Sequence, residues 1–200
     1  MASHSIVSRS VLCLTVLWCV GCATTRGANK DNDGQGMDRI REIKLVEEDL
    51  ILQEVDLDGN GTADVFNYFR ERSAASRLLV RKKIDLDFDG RVDVISTFDE
   101  DGALATEQMD GDFDGQIDWT DHYQNGVRVM AEADSNYDGQ SDIFFYYSVA
   151  GDGRPRIERK ERDTDGDGRI DFWERFDERG VVVRTGRDTD GDGKMDERDE

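Results

Sequence analysis

Six nine-residue runs between positions 56 and 196 place Asp or Asn at their first, third and fifth positions, Gly at the sixth and Asp at the ninth. The side chains concerned are Asp56, Asp58, Asn60 and Asp64; Asp85, Asp87, Asp89 and Asp93; Asp110, Asp112, Asp114 and Asp118; Asp134, Asn136, Asp138 and Asp142; Asp163, Asp165, Asp167 and Asp171; and Asp188, Asp190, Asp192 and Asp196. Each carries an oxygen on a short stem. Alternate residues of a tightly curled loop aim such oxygens at one centre, which suits a hard cation taking six to eight oxygen ligands at about 2.3–2.6 Å. Gly at position 6 supplies the positive φ of the sharp turn, position 7 adds a backbone carbonyl, and position 9 adds a carboxylate, often through water. An all-oxygen set points to Ca²⁺ over transition metals, and no His cluster suggests zinc. Asp-Gly alone marks an ordinary hairpin turn. Six copies of the whole pattern, starting 29, 25, 24, 29 and 25 residues apart, point instead to an array of up to about six calcium loops.

The loops resemble those of thrombospondin type 3 repeats, bacterial dockerins and other EF-hand-like calcium repeats, over about 140 of the 200 residues. The EF-hand loop closes with a bidentate Glu at position 12. Here that position holds Asn67, Ser96, Asp121, Phe145, Glu174 and Asp199, of which only Asp121, Glu174 and Asp199 have the chemistry to serve. Most loops must therefore complete the shell with water, backbone oxygen or a neighbouring Asp, and weak affinity of the extracellular kind, about 10⁻⁴–10⁻³ M, is expected. A further run, DNDGQGMDR from Asp31, lies 25 residues before Asp56 and carries Arg39 at its ninth position. It reads as a degenerate unit or a linker.

The segments between the loops must position these oxygens. Each loop is followed by a short run rich in aromatic and β-branched residues, DVFNYF, DVISTF, DWTDHY, DIFFYY and DFWERF, and then in most units by a turn signal such as Asn125-Gly126 or Arg179-Gly180. A second run leads into the next loop. Strand, hairpin turn, strand and metal loop is the simplest unit that fits. Stacked in series, these units predict an all-β fold, a repetitive, solenoid-like antiparallel hairpin meander with calcium loops along one edge and hairpin turns along the other. The alternative is a dockerin-like set of EF-hand helical repeats, because apolar residues at positions 10, 11 and 14 also suit one face of a helix. A piece of a calcium-looped β-propeller resembles the unit too, but its blades run to longer periods. Residues 38–55 suit either a short helix or a strand pair that caps the array, or a degenerate repeat.

The formal net charge is −20, and 22 of the 46 acids stand at the loops' ligand positions. The first 21 residues hold one Arg and no acid, so a chain beginning at Cys22 carries −21. Self-repulsion of that size opposes compaction until cations relieve it, so folding is expected to be coupled to calcium. The acidity also argues against nucleic acid as a partner.

Residues 1–21 read as an export signal, with one Arg, an apolar run from Val11 to Val20 and then Gly21-Cys22-Ala23. Ten apolar residues are too few to span a bilayer, which takes about 20. The run resembles a bacterial lipoprotein signal, which implies lipidation of Cys22 and a membrane anchor there. Cys19 stands where that family usually has Leu, and plain secretion is the alternative. Ala23 after the Cys implies the outer membrane by the same resemblance. Cys13 and Cys19 fall within the signal, leaving Cys22 without a disulfide partner. Residues 22–37 form a polar tether and residues 56–200 the calcium-binding array.

No catalytic set stands out. His122 is the only His beyond the signal, and its place in the repeat makes it an exposed strand residue. The acids follow the repeat, which singles out no carboxylate pair for glycoside hydrolysis. A site built from residues that break the repeat would centre on Asp121, His122 and Tyr123. The expected protein is a calcium-binding structural or adhesive lipoprotein of a bacterial envelope, facing the periplasm or the outside, with a protein or polysaccharide partner. A dockerin-like protein-interaction module is the second expectation, and an enzyme is not expected.

Overall fold

The computed structural model describes residues 39–199. The expected export signal, Cys22, the tether and the run from Asp31 to Asp38 lie outside the described residues. Thirteen strands follow in chain order: β1 (Ile40–Leu45), β2 (Leu50–Val55), β3 (Val65–Ser73), β4 (Ser76–Ile84), β5 (Val94–Phe98), β6 (Leu104–Met109), β7 (Trp119–Gln124), β8 (Val127–Ala133), β9 (Ile143–Val149), β10 (Pro155–Arg162), β11 (Phe172–Phe176), β12 (Val182–Arg187) and β13 (Glu197–Asp199). Each pairs antiparallel with the next, and the spatial order across the single sheet is the order in the chain. The all-β meander stands as expected, with acidic loops joining strands at one rim and hairpin turns at the other.

The described residues contain no helix. The aromatic and β-branched runs are five to nine residues long and closed at both ends by turns, too short to build a helix that buries a face. Paired on both sides, those runs satisfy their backbone groups through neighbouring strands. The segment before Asp56 resolves as the strand pair β1–β2, with Ile40 opposite Val55 and Leu45 opposite Leu50.

The two rims differ in regularity. Every hairpin from β3–β4 to β11–β12 carries a register shift near its turn, at Tyr68/Phe69, Thr97/Phe98, His122/Tyr123, Ile157/Arg159 and Arg175/Phe176. The pairings across the acidic loops carry none. Bulges absorb extra residues and sharpen twist where they occur. With irregularity confined to the turn rim, the loops at the other rim start from the same register each time.

A single sheet leaves both faces open, so little apolar surface is fully buried. Leu50, Ile51, Leu52, Val94, Ala131 and Ala133 are the buried apolar residues, and the first three make β2 the apolar centre of the capping pair. Midway along, Ala131 and Ala133 leave room for Trp119 of β7 and Phe145 of β9 to meet across β8, ring centroids 5.5 Å apart. Elsewhere arginine covers aromatic surface. The Arg81 guanidinium lies 4.0 Å from the Tyr68 ring centre and that of Arg159 lies 3.9 Å from the Tyr146 ring centre.

Candidate metal loops

All six loops share one hydrogen-bond template, set by residue type at each position. The position-1 carboxylate accepts from the amides of positions 4 and 6. In the second loop Phe88 N–H reaches Asp85 Oδ1 at 2.7 Å and Gly90 N–H reaches Oδ2 at 2.8 Å. Asp56, Asp110, Asp134, Asp163 and Asp188 repeat the pair at 2.6–2.9 Å. The position-9 carboxylate accepts from the amide of position 2, at 2.6 Å from Leu57 to Asp64 and 2.5 Å from Leu86 to Asp93. Positions 3 and 5 make Asx turns onto positions 5 and 7, such as Asp89 N–H to Asp87 at 3.1 Å and Arg91 N–H to Asp89 at 2.8 Å. These bonds curl each chain segment around its own carboxylates.

In five loops the carboxylates of positions 1, 3 and 9 converge. One oxygen from each of Asp56, Asp58 and Asp64 lies within 4.8 Å of the others, and the same holds for Asp85, Asp87 and Asp93; Asp110, Asp112 and Asp118; Asp163, Asp165 and Asp171; and Asp188, Asp190 and Asp196. Each of these triplets can hold a metal ion. The loop from Asp134 carries Asn136 at position 3, so only Asp134 and Asp142 are carboxylates among its positions 1, 3 and 9. Position 5 does not join the groups. Asp89 binds Arg91 Nε at 2.7 Å, Asp114 binds Gln116 Nε2 at 3.1 Å, Asp192 binds Lys194 Nζ at 2.6 Å and Asp138 binds Asn136 Nδ2 at 3.0 Å. Asn60 likewise turns its amide to Asp58 Oδ2 at 2.9 Å, and Asp167 accepts the Arg169 amide at 2.9 Å.

Burial makes the triplets electrostatically demanding. The largest fully buried side chains are Asp64, Asp93 and Asp110, each 1% exposed, while position 3 faces solvent in every loop. A buried carboxylate is costly without hydrogen bonds or a counter-charge. Burial works to raise Asp56, Asp163 and Asp188, but the amides donating into each carboxylate outweigh it and hold all three below the ordinary Asp range. Asp87 and Asp112 go the other way. Lost solvation raises both, and the charges of Asp89, Asp93 and Asp85 around one and of Asp114, Asp118 and Asp110 around the other raise them further. A cation held by the triplet would supply the missing counter-charge.

The candidate residues at position 12 are drawn into the sheet. Asp121 is 5% exposed on β7 and pairs with Arg128 at 2.7 Å, and Glu174 on β11 pairs with Arg162 at 3.3 Å. Neither joins a carboxylate group, although each has the chemistry to serve at position 12; the side chain of Asp199 lies outside what is described. His122 is half-buried and bonds Glu132 at 2.6 Å, and as neighbours along β7, Asp121 and His122 project to opposite faces. The Tyr123 hydroxyl reaches Asp121 Oδ2 at 3.4 Å, while His122 turns to Glu132, so the three residues that break the repeat do not form one cluster.

Two further positions matter that spacing alone did not single out. Position 2 carries a hydroxyl in the last three loops, and Ser135, Thr164 and Thr189 donate to Asp142, Asp171 and Asp196 at 2.8, 2.6 and 2.8 Å. The run of Ser or Thr after the first Asp was the available signal. Position 7 ties loops together, with Arg91 Nη1 on the Asp114 carbonyl at 2.8 Å and Arg169 Nη1 on the Gly191 carbonyl at 2.8 Å. The backbone repeats this link, since each position-1 amide donates to the position-9 carbonyl of the loop before, as from Asp85 to Asp64 and from Asp110 to Asp93, both 2.8 Å. Asp56 donates in the same way to Arg39 at 2.8 Å, so the ninth residue of the run from Asp31 holds the backbone place of a loop end.

No protein-family model matches the chain, and a search of curated proteins found no match.

Proposed function

We propose that the loops take up Ca²⁺ and that the loaded row stiffens the sheet into a calcium-dependent structural or adhesive scaffold. The observation that carries this reading is the convergence of three carboxylates in each of five loops, within 4.8 Å of one another, in a sheet whose largest fully buried side chains are themselves carboxylates. Oxygen-only donors, anionic and partly hydrated, select a hard divalent cation, and a shell left open at position 12 suits Ca²⁺, which tolerates water and irregular geometry better than Mg²⁺ does. Six ions would bring the charge of the chain from Cys22 onward from −21 to −9. The loop-to-loop bonds through Arg91, Arg169 and the position-1 amides give each filled loop a rigid neighbour. The Gly21-Cys22 sequence and the apolar run before it support a lipid-anchored place on a bacterial envelope, with a protein or polysaccharide as partner.

The direct test is a calcium titration of the chain from Cys22 onward after chelation, read by calorimetry and equilibrium dialysis. Several equivalents bound, with five or six at saturation, are expected. No calcium uptake, or uptake unchanged when Asp93 and Asp118 are replaced by Asn, overturns the reading.

A further inference from the structure

Position 4 divides the loops into two classes. The first, fifth and sixth carry Gly59, Gly166 and Gly191 there, at φ of 84, 77 and 76°. The three loops between them carry Phe88, Phe113 and Tyr137 in the same left-handed conformation, at φ of 65, 66 and 61°. A bulky side chain adopts that conformation at a cost that glycine avoids. The position-1 carboxylates impose it, holding the three amides at 2.7 Å each. Folding does not ask for aromatics here, because glycine serves the same template in the other loops.

What the aromatics achieve is display. Phe88, Phe113 and Tyr137 are 46%, 39% and 55% exposed, so each offers aromatic surface to solvent. Three such rings on consecutive loops form a row along the metal rim. Neighbouring loops stand two strands apart, a step of about 9.5 Å. The row is held in register by the Asp110 and Asp134 amides on the preceding loops at 2.8 and 2.9 Å, and by Arg91 reaching the Asp114 carbonyl.

Charge and twist select the occupant. With one Ca²⁺ each, the second loop keeps four carboxylates and Arg91 for a net −1, the third keeps four carboxylates for −2, and the fourth keeps three for −1. The rim stays negative when loaded, which disfavours an anionic lipid surface or an acidic polymer. A sheet twisting by roughly 20–25° per strand also fans the rings out of one plane, so they follow a strand-like ligand better than a flat bilayer. A neutral chain of sugar rings meets both conditions, since it repeats along its length, stacks on aromatic faces and brings hydroxyl oxygens to the rim.

We propose that Phe88, Phe113 and Tyr137 form a stacking platform for an unbranched, neutral polysaccharide laid across the calcium-loop rim. The proposal rests on the calcium reading above, because loaded loops hold the row in place and cancel most of its charge.

Cellohexaose, chitohexaose and mannohexaose are the probes, titrated calorimetrically into the calcium-loaded chain from Cys22 onward. Phe88→Gly, Phe113→Gly and Tyr137→Gly, singly and together, install the residue that the other loops already use, so the loop template is kept. At least one hexasaccharide is expected to bind saturably. Phe113→Gly, the middle ring, should weaken it roughly tenfold, and the triple variant should lose it while binding as much calcium as the parent. Calcium uptake is measured on the same samples, so failure of the metal reading shows separately. Ring-dependent saccharide binding that survives chelation would keep the platform and remove calcium's part in it. Binding of none of the three probes, or equal binding by the triple variant, overturns the proposal. So does ring-dependent capture on phosphatidylglycerol vesicles without saccharide binding, which would make the row a membrane contact.

Discussion

Removing calcium should cost this protein about as much stability as a whole domain possesses. Among the described residues the buried apolar side chains number six, on three of the thirteen strands, while the largest fully buried side chains are three carboxylates. A ligand selective for the folded state stabilises it by RT ln(1 + [L]/Kd), which is about 1.4–2.7 kcal/mol per loop at about 10 mM calcium for dissociation constants of about 10⁻³–10⁻⁴ M. Six loops then contribute roughly 8–16 kcal/mol, against the 5–15 kcal/mol or so that holds a typical domain together. The assay is urea denaturation followed by circular dichroism in the strand region, in calcium and in chelator. The transition should lie at measurable urea in calcium and collapse toward zero urea in chelator. Asp93→Asn refines the test, because the amide keeps an oxygen for the Leu86 N–H but takes one charge from the second loop. Its penalty should be no more than one loop's share, about 1.4–2.7 kcal/mol, and should appear only with calcium present. Coincident transitions with and without calcium would refute the reasoning, and so would an Asp93→Asn penalty of equal size in chelator.

Other expectations follow from the same geometry. Asp87→Asn and Asp112→Asn should raise the melting temperature in chelator, since both carboxylates are disfavoured as anions in the folded loops, and should weaken calcium uptake; a lower melting temperature in chelator would contradict the like-charge account. Asp56, Asp163 and Asp188 are held below their unfolded pKa of about 3.8, so their contribution is present above that value and lost as pH falls through the lowered folded values. Carboxyl NMR titration of these three should show midpoints below those of Asp87 and Asp112. A Cβ on Gly186 would sit 2.5 Å from Met195 Sδ, so Gly186→Ala should destabilise by about 1–3 kcal/mol, and a double-mutant cycle with Met195→Ala should recover part of it. Arg91→Ala removes the strut to the third loop, and stepwise calcium titration should show weaker coupling between those two sites with the stoichiometry unchanged.

Much of the fold was legible because its determinants are local. Five-residue to nine-residue strand runs, turn signals and a repeating acidic loop lie within about thirty residues of one another, and an array of like units adds no long connection to guess. The segment before Asp56 stayed open between helix and strand because Ile40, Leu45, Leu50 and Leu52 fit both periodicities until a partner strand is known. Position 12 was misleading for a related reason. Asp121 and Glu174 have the chemistry of a loop-closing ligand, but Arg128 and Arg162 come from strands paired across the sheet, and no spacing within the loop reveals them. The partner of position 5 is the side chain of position 7 in three loops, Arg91, Gln116 and Lys194, which was in view but carried no weight as a ligand.

The sequence by itself determined the loops. Carboxylate spacing from position 1 to position 9 and glycine at position 6 set the curl through bonds that reach at most seven residues, and the strands follow from β-branched and aromatic runs between turns. The tertiary structure decided how those loops stand to one another and what they hide. Pairing across thirteen strands buried Asp64, Asp93 and Asp110, confined the bulges to the far rim, linked each loop to the next through position 1 and position 7, and lined up three aromatic rings that lie far apart in the chain. The links between loops join residues 16 to 23 positions apart, and only the register of the assembled sheet specifies them.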